Sequence, residues 1–317
     1  MKRRLFVSVF VGSMVLALGT VTTAYGAESE AAAAAPAPAA KGPPLPFLTI
    51  EGYGGGAITP MAYLVNPAPT GEALGLPSVA FDAIGLGEKN LQAFLLTENL
   101  FGRVELGYGA ERLYLGTLPN DIENATGVNI NSDDVWLHNF NLRVLALPEG
   151  SFHLPLPALT VGAHFKYNNS TDSINSKLGG ALTSIGYRHN TGEEFTLTAT
   201  KMFTQLGAPL ILTAGGREST AEALGFLGFS NQWRATFEAN AAVLPTSWLL
   251  LAYEFRQNSN PYKQIPGLIE NADDWHAFDV GWIINSHATL VGGYGIFGTL
   301  ANSTANNAWW LQVKYEL

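Results

Sequence analysis

The chain contains no cysteine. That excludes a disulfide framework, thiolate zinc sites, iron–sulfur clusters, thiol catalysis, covalent haem attachment and a lipoprotein anchor. Charge is scarce, at 14% of residues, and 17 Lys+Arg face 26 Asp+Glu for a net charge of −9. Such a surface offers no basic footprint for phosphates, so no nucleic-acid partner is expected. Past residue 18 no apolar run reaches the roughly 20 residues of a spanning helix. What is abundant is hydrophobic residues, 47%, and glycine, 34 of the 317 residues, a mixture that leaves patterning to decide the architecture.

Lys2, Arg3 and Arg4 precede an apolar run over residues 5–18, and Ala24 and Gly26 suit a cleavage site. This pattern predicts a cleaved secretory signal over residues 1–26, since the apolar run is too short for an anchor. Its removal takes away three basic residues and no acid, which leaves the exported chain still more acidic. Residues 27–46 read AESEAAAAAPAPAAKGPPLP, the composition of a disordered, partly extended linker. Residues 47–77 carry the Gly54-Gly55-Gly56 triplet and several prolines, which disfavour a regular sheet interior. No Lys or Ser/Thr follows the triplet at P-loop spacing, so a packing or turn role is expected of it.

From Ser78 onward the chain alternates with period two. Leu159, Val161, Ala163, Phe165 and Tyr167 form an apolar face against Thr160, Gly162, His164 and Lys166, as in a strand with one oily and one polar side. Trp233-Ala235-Phe237-Ala239-Ala241 and Trp309-Leu311-Val313-Tyr315-Leu317 repeat the design. A soluble sandwich also alternates. Export, near-ten-residue strands, aromatics near strand ends and the lack of spanning helices favour lipid outside. The fold class expected is all-β: a transmembrane antiparallel up-and-down β-barrel of about 12 strands over residues 78–317. Connections alternate short and long, apart from a longer periplasmic one at 148–157 and a short outer turn at 88–90, as they do when both termini lie in the periplasm. They place strands near 78–87, 91–98, 103–113, 134–147, 158–168, 194–204, 209–218, 231–243, 247–257, 273–284, 288–298 and 308–317. Fourteen strands are the second choice, if residues 181–189 also pair. An unpaired thirteenth strand would break even parity, so residues 47–77 are expected at the periplasmic mouth or inside the lumen.

Gly54-Gly55-Gly56-Ala57-Ile58-Thr59-Pro60, Arg103-Val104-Glu105-Leu106-Gly107-Tyr108, Thr198-Ala199-Thr200-Lys201, Leu224-Gly225-Phe226-Leu227-Gly228-Phe229, Tyr253-Glu254-Phe255-Arg256-Gln257 and Asp273-Asp274-Trp275 together resemble a proteobacterial envelope family. It is catalogued as domain of unknown function 3034, and the resemblance spans about residues 47–317. It implies a Gram-negative source and the cell outer membrane, with outer-membrane lipids and the barrel-assembly machinery as partners. It assigns no activity and no catalytic residues. Leu317 departs from the terminal Phe usual in such barrels, although Tyr315 and the alternating last strand keep an assembly signal.

Chemistry is thin in the sequence. The six histidines lack metal-ligand spacing, and no Gly-x-Ser-x-Gly turn occurs, so neither a metal or other cofactor nor an enzyme is expected, a lipid hydrolase being the least favoured reading. Asp133-Asp134 and Asp273-Asp274 lie where loops enter strands; they suit divalent cations in principle, but solvated loop ends are the commoner case. The face expected toward the lumen carries Arg103, Glu105, Glu111, His164, Lys166, Arg234, Glu238, Glu254, Arg256, Asp279, Lys314 and Glu316. Both signs occur, and a twelve-strand barrel is narrower than open porins. Two functions follow: a narrow channel or transporter for small polar or amphipathic solutes, or a closed structural or interaction barrel whose charges pair across the lumen.

Overall fold

The computed structural model describes residues 47–317. The signal and linker expected over residues 1–46 lie outside the described residues. Twelve strands close into one antiparallel up-and-down barrel: β1 Ser78–Leu86, β2 Lys89–Leu100, β3 Val104–Tyr114, β4 Asp134–Leu147, β5 Ala158–Asn168, β6 Thr191–Phe203, β7 Leu210–Ala221, β8 Phe229–Thr246, β9 Leu249–Arg256, β10 Trp275–Ile283, β11 Ala288–Ile296 and, after a two-residue hairpin β12–β13 (Thr299–Leu300, Ser303–Thr304), β14 Ala308–Glu316. Each barrel strand pairs with its neighbours in sequence, and β1 closes the ring against β14 from Ser78↔Glu316 to Gly85↔Trp309. The sheet thereby closes without a free edge strand, as hydrocarbon requires.

The alternation seen in the sequence becomes an alternation of environment. Along β14, buried Ala308, Trp310, Gln312, Lys314 and Glu316 alternate with exposed Trp309, Leu311, Val313 and Tyr315. Phe81, Phe94, Phe140, Phe237 and Phe278 stand about half exposed on the outer wall. Trp248, Trp282 and Tyr315 ring the short-turn rim, and Trp136, Tyr167 and Trp309 the other. An apolar band between two aromatic girdles is the surface of a membrane-spanning barrel.

The ten-residue connection 148–157 lies at one rim among the short turns, while the longest connections leave the other. They contain α1 Leu118–Thr126, α2 Thr171–Lys177 and α3 Ala181–Ile185. The last of these occupies the segment that a fourteen-strand barrel would have used, and His189 makes only an isolated bridge to Phe229. Both ends of the barrel chain meet at the opposite rim, where Leu317 N–H donates to the Pro77 carbonyl at 3.0 Å.

Candidate functional site: a filled lumen

Residues 47–65 run inside the ring of strands as an irregular hairpin, fastened by short bridges at Leu48↔Gly54 and Gly55↔Pro60. They are buried nearly throughout, although the stretch carries few ladder bonds. Its backbone groups must therefore find partners on the wall, and strand side chains supply them. Glu254 accepts the N–H groups of Ala57 at 2.6 Å and Thr59 at 2.8 Å, and the Thr59 hydroxyl. This is a carboxylate in a cradle of successive N–H groups. Glu105 accepts Gly54 N–H at 2.9 Å and Val65 N–H at 2.7 Å, and is itself paired with Arg143 at 2.7 Å. Arg143 also donates to the carbonyls of Gly54 and Met61. Gln312 takes both backbone groups of Leu48, at 3.0 and 2.7 Å.

Two glycines allow this close approach. A Cβ on Gly56 would lie 2.2 Å from the Glu254 carboxylate, and one on Gly107 would lie 2.1 Å from the Gly52 carbonyl oxygen. The triplet thus serves packing, letting a backbone lie against the wall without joining it.

At the centre, Glu51 from the inner hairpin enters a knot of wall charges. Lys166 contacts Glu51 at 2.5 Å and Glu194 at 3.0 Å. Arg217 contacts Glu194 at 2.5 Å, Glu238 at 2.8 Å and Glu51 at 3.3 Å, and Arg256 contacts Glu51 at 2.7 Å. Three cations meet three carboxylates. Burial alone would raise the Glu51 carboxyl, but Arg217, Arg256 and Lys166 together hold it well below the ordinary carboxylate range. Tyr53 donates to Glu51 at 2.7 Å and accepts from Arg217, and burial pushes its phenol above the usual value.

Of the residues assigned to the lumen face from sequence, Glu105, Lys166, Glu238, Glu254 and Arg256 meet in this arrangement. His164 is buried beside it, bonded to Asn141 and Thr196 and packed on the Tyr53 ring. Glu111 accepts from Asn139; Asp279 is buried on the neighbouring strand; Lys314 pairs with Glu316 at 2.6 Å. Arg103 and Arg234 stand apart from this arrangement. Arg103 sits in the exposed turn before β3, where Phe101 and Gly102 adopt positive φ, and its guanidinium reaches only the Leu145 carbonyl. Arg234 shares the inward parity of β8 but stands exposed beyond the filled lumen, near a register shift between β7 and β8, and donates to Gln232. Arg143, Glu194, Arg217 and Gln312 were missed although strand parity points each of them inward. Glu51 had no strand pattern to place it.

Above the knot, the connection between β7 and β8 folds inward rather than outward. Ala223 and Leu224 take φ of 48° and 62°, a left-handed conformation that costs non-glycine residues energy and persists where surroundings enforce it. Here Lys166 donates to the Leu224 carbonyl at 3.0 Å, and Asn168 donates to those of Gly225 and Phe226 at 2.8 and 3.0 Å. Glu222 at its base accepts Tyr262 N–H at 3.2 Å, and burial pushes its carboxyl up to about 7. The two acidic pairs at loop entries are used locally: Asp134 pairs with Arg112, Asp273 accepts Thr299 N–H and Asp274 accepts Asn258 N–H. Among the described residues no group of three potential metal ligands lies together.

The fold and lumen define a class: a closed, membrane-spanning barrel filled by its own N-terminal segment. Residues 47–314 match the family model described as a protein of unknown function, DUF3034. The chain belongs to that family. No curated protein matches the sequence. Among solved structures it is similar to the KdgM porin, with a TM-score of 0.46 and 8% identity over 76% of this chain and 99% of that one. The NanC porin gives 0.45 and 7% over 76% and 100%, and Omp33 of Acinetobacter baumannii 0.41 and 8% over 77% and 99%.

Proposed function

We propose that the protein is an outer-membrane conduit for small solutes, closed at rest by residues 47–65. The observation that carries this reading is how the segment is fastened. It is held by side chains bonding its backbone, above all Glu254 and Glu105, and by the ion pairs of Glu51, and no strand of the barrel depends on it for its ladder. It can therefore leave or shift without opening the ring. Side chains alone just fill a barrel of about eight strands, and this wider one is filled by a separate segment, with glycines at the points of closest approach. The long-loop rim faces outward and the short-turn rim, where the first and last barrel strands meet, faces the periplasm, the usual sidedness of such barrels. Outer-membrane lipids contact the apolar band, and the alternating last strand with Tyr315 and Leu317 outward suits recognition by the barrel-assembly machinery.

The test is conductance in planar bilayers. Wild-type protein should show a small conductance with rare openings, and deletion of residues 47–77 with the export signal kept should give a steady, larger one. Glu105→Gln, which keeps the segment but weakens two of its anchors, should raise the frequency of openings. Heat-modifiable migration on gels reports folding of each variant. A folded deletion protein with unchanged conductance would mean a closed structural barrel.

A further inference from the structure

Between the inward-folded connection and the tip of the inner segment lies a cavity of about 70 Å³ that the closure just described does not use. Ile50 and Ile58 form its floor, Leu224 and Phe226 one side, and Trp275 and Phe297 another. The rings of Trp275 and Phe297 are packed at 4.8 Å. Apolar cavities stay dry and take up hydrocarbon, and ligand sites combine such a lining with few, placed polar groups.

The polar groups at this cavity narrow the choice of ligand. Lys89 is occupied by Asn302 at 2.7 Å and Ser303 at 2.5 Å, and Asn302 in turn donates to Asp121. Glu270 accepts Gly267 N–H, and Glu222 accepts Tyr262 N–H. Carboxylates thus outnumber the one lysine, which disfavours an anionic head. The Trp275 side chain is buried and its indole N–H has no hydrogen-bond partner among the described residues, and a buried donor of this kind is normally satisfied. The volume is also below the roughly 150 Å³ of a dry cavity that holds benzene, which limits an occupant to fewer non-hydrogen atoms than that ring.

We infer that this chamber binds a small uncharged molecule, alkyl along most of its length, with one hydrogen-bond acceptor that takes the Trp275 N–H. The inference rests on the reading of the barrel as a conduit and names the solute class that enters it.

Calorimetric titration of the full-length protein in lipid nanodiscs, with empty nanodiscs as reference, tests it using 2-butanone and butanoate as probes. 2-Butanone should bind saturably, one per barrel, and butanoate at least about tenfold more weakly. Trp275→Phe, which keeps a ring but removes the donor, should weaken 2-butanone by about three- to tenfold, the usual worth of one hydrogen bond. Leu115→Trp, which fills the cavity wall, should abolish binding while the protein keeps its heat-modifiable migration. No saturable heat with 2-butanone, equal affinity for butanoate, or unchanged binding in Leu115→Trp would each overturn the inference. The titration reads no conductance, so the two readings fail separately. An opened deletion protein whose parent binds no 2-butanone refutes the ligand class alone. Binding in a barrel whose conductance ignores the deletion refutes the conduit, and with it the chamber as an entry site.

Discussion

Midway along the lumen six charged side chains, Glu51, Glu194, Glu238, Lys166, Arg217 and Arg256, satisfy one another. A short distance toward the long-loop rim, the chamber walls are almost wholly aliphatic and aromatic. Both regions are closed off from water by the same inner hairpin, yet they respond to disturbance in opposite ways. In the knot every charge depends on a partner, so removing one leaves another buried and uncompensated. The apolar groups that make up most of the chamber wall depend on no specific partner, so change there is graded with volume.

The largest effect should therefore come from the knot. Glu51→Gln leaves three cations facing two carboxylates and should cost about 3–5 kcal/mol, read as a lowered urea midpoint for loss of the heat-modifiable band. Because the Glu51 carboxyl is held below its ordinary range, its contribution is fully present above the ordinary carboxylate pKa and is lost only as pH falls toward the depressed value. The wild-type knot should thus be insensitive to pH across the neutral range. A smaller cost, about 1–3 kcal/mol, is expected for Gly56→Ala, whose added methyl meets the Glu254 carboxylate; the same variant should open more often in bilayers. A Gly56→Ala protein with wild-type stability and conductance would show that the cradle is looser than its geometry.

The smallest effect sharpens the contrast by pH. Glu222 is raised to about 7 by burial, so its neutral form favours the folded connection. That contribution is complete below the ordinary carboxylate pKa and disappears as pH rises through about 7. Backbone amides of residues 222–228 should exchange faster at pH 8 than at pH 6 after correction for intrinsic rates. In Glu222→Gln the difference should vanish, with the global unfolding midpoint little changed. An undiminished difference in that variant would assign the pH response to another group.

Much of this barrel can be read in the chain because lipid outside and packed side chains inside impose a strict period of two. Strands β4 and β5 fall on the residues expected, and Glu238 and Glu254 face the lumen while Phe237 faces out. Arg103 and Arg234 stay outside the cluster, because the filled part of the lumen ends before the alternation does. Parity could have added Arg143 and Arg217, whose neighbours already pointed outward. The inner hairpin is different in kind: Glu51 finds its place through three separate strands, and no local pattern encodes that. The inward connection did leave a trace. Leu224-Gly225-Phe226-Leu227-Gly228-Phe229 is too apolar for a loop that lies in water, and the segments that carried the family resemblance around Gly56, Glu105, Leu224 and Glu254 are those that converge inside the barrel.

The bond between Leu48 and Gln312 joins residues 264 positions apart, and Gln312 lies on β14, the strand that closes the ring against β1 through its pairing with Asp82. Leu48 therefore cannot complete its bonds until the last strand has been made and placed. Nor can the hairpin be threaded from the side once the seam is shut. Seating of the segment is thus complete only once the last strand is in place, and a barrel that closes first stays empty until the segment enters through a mouth.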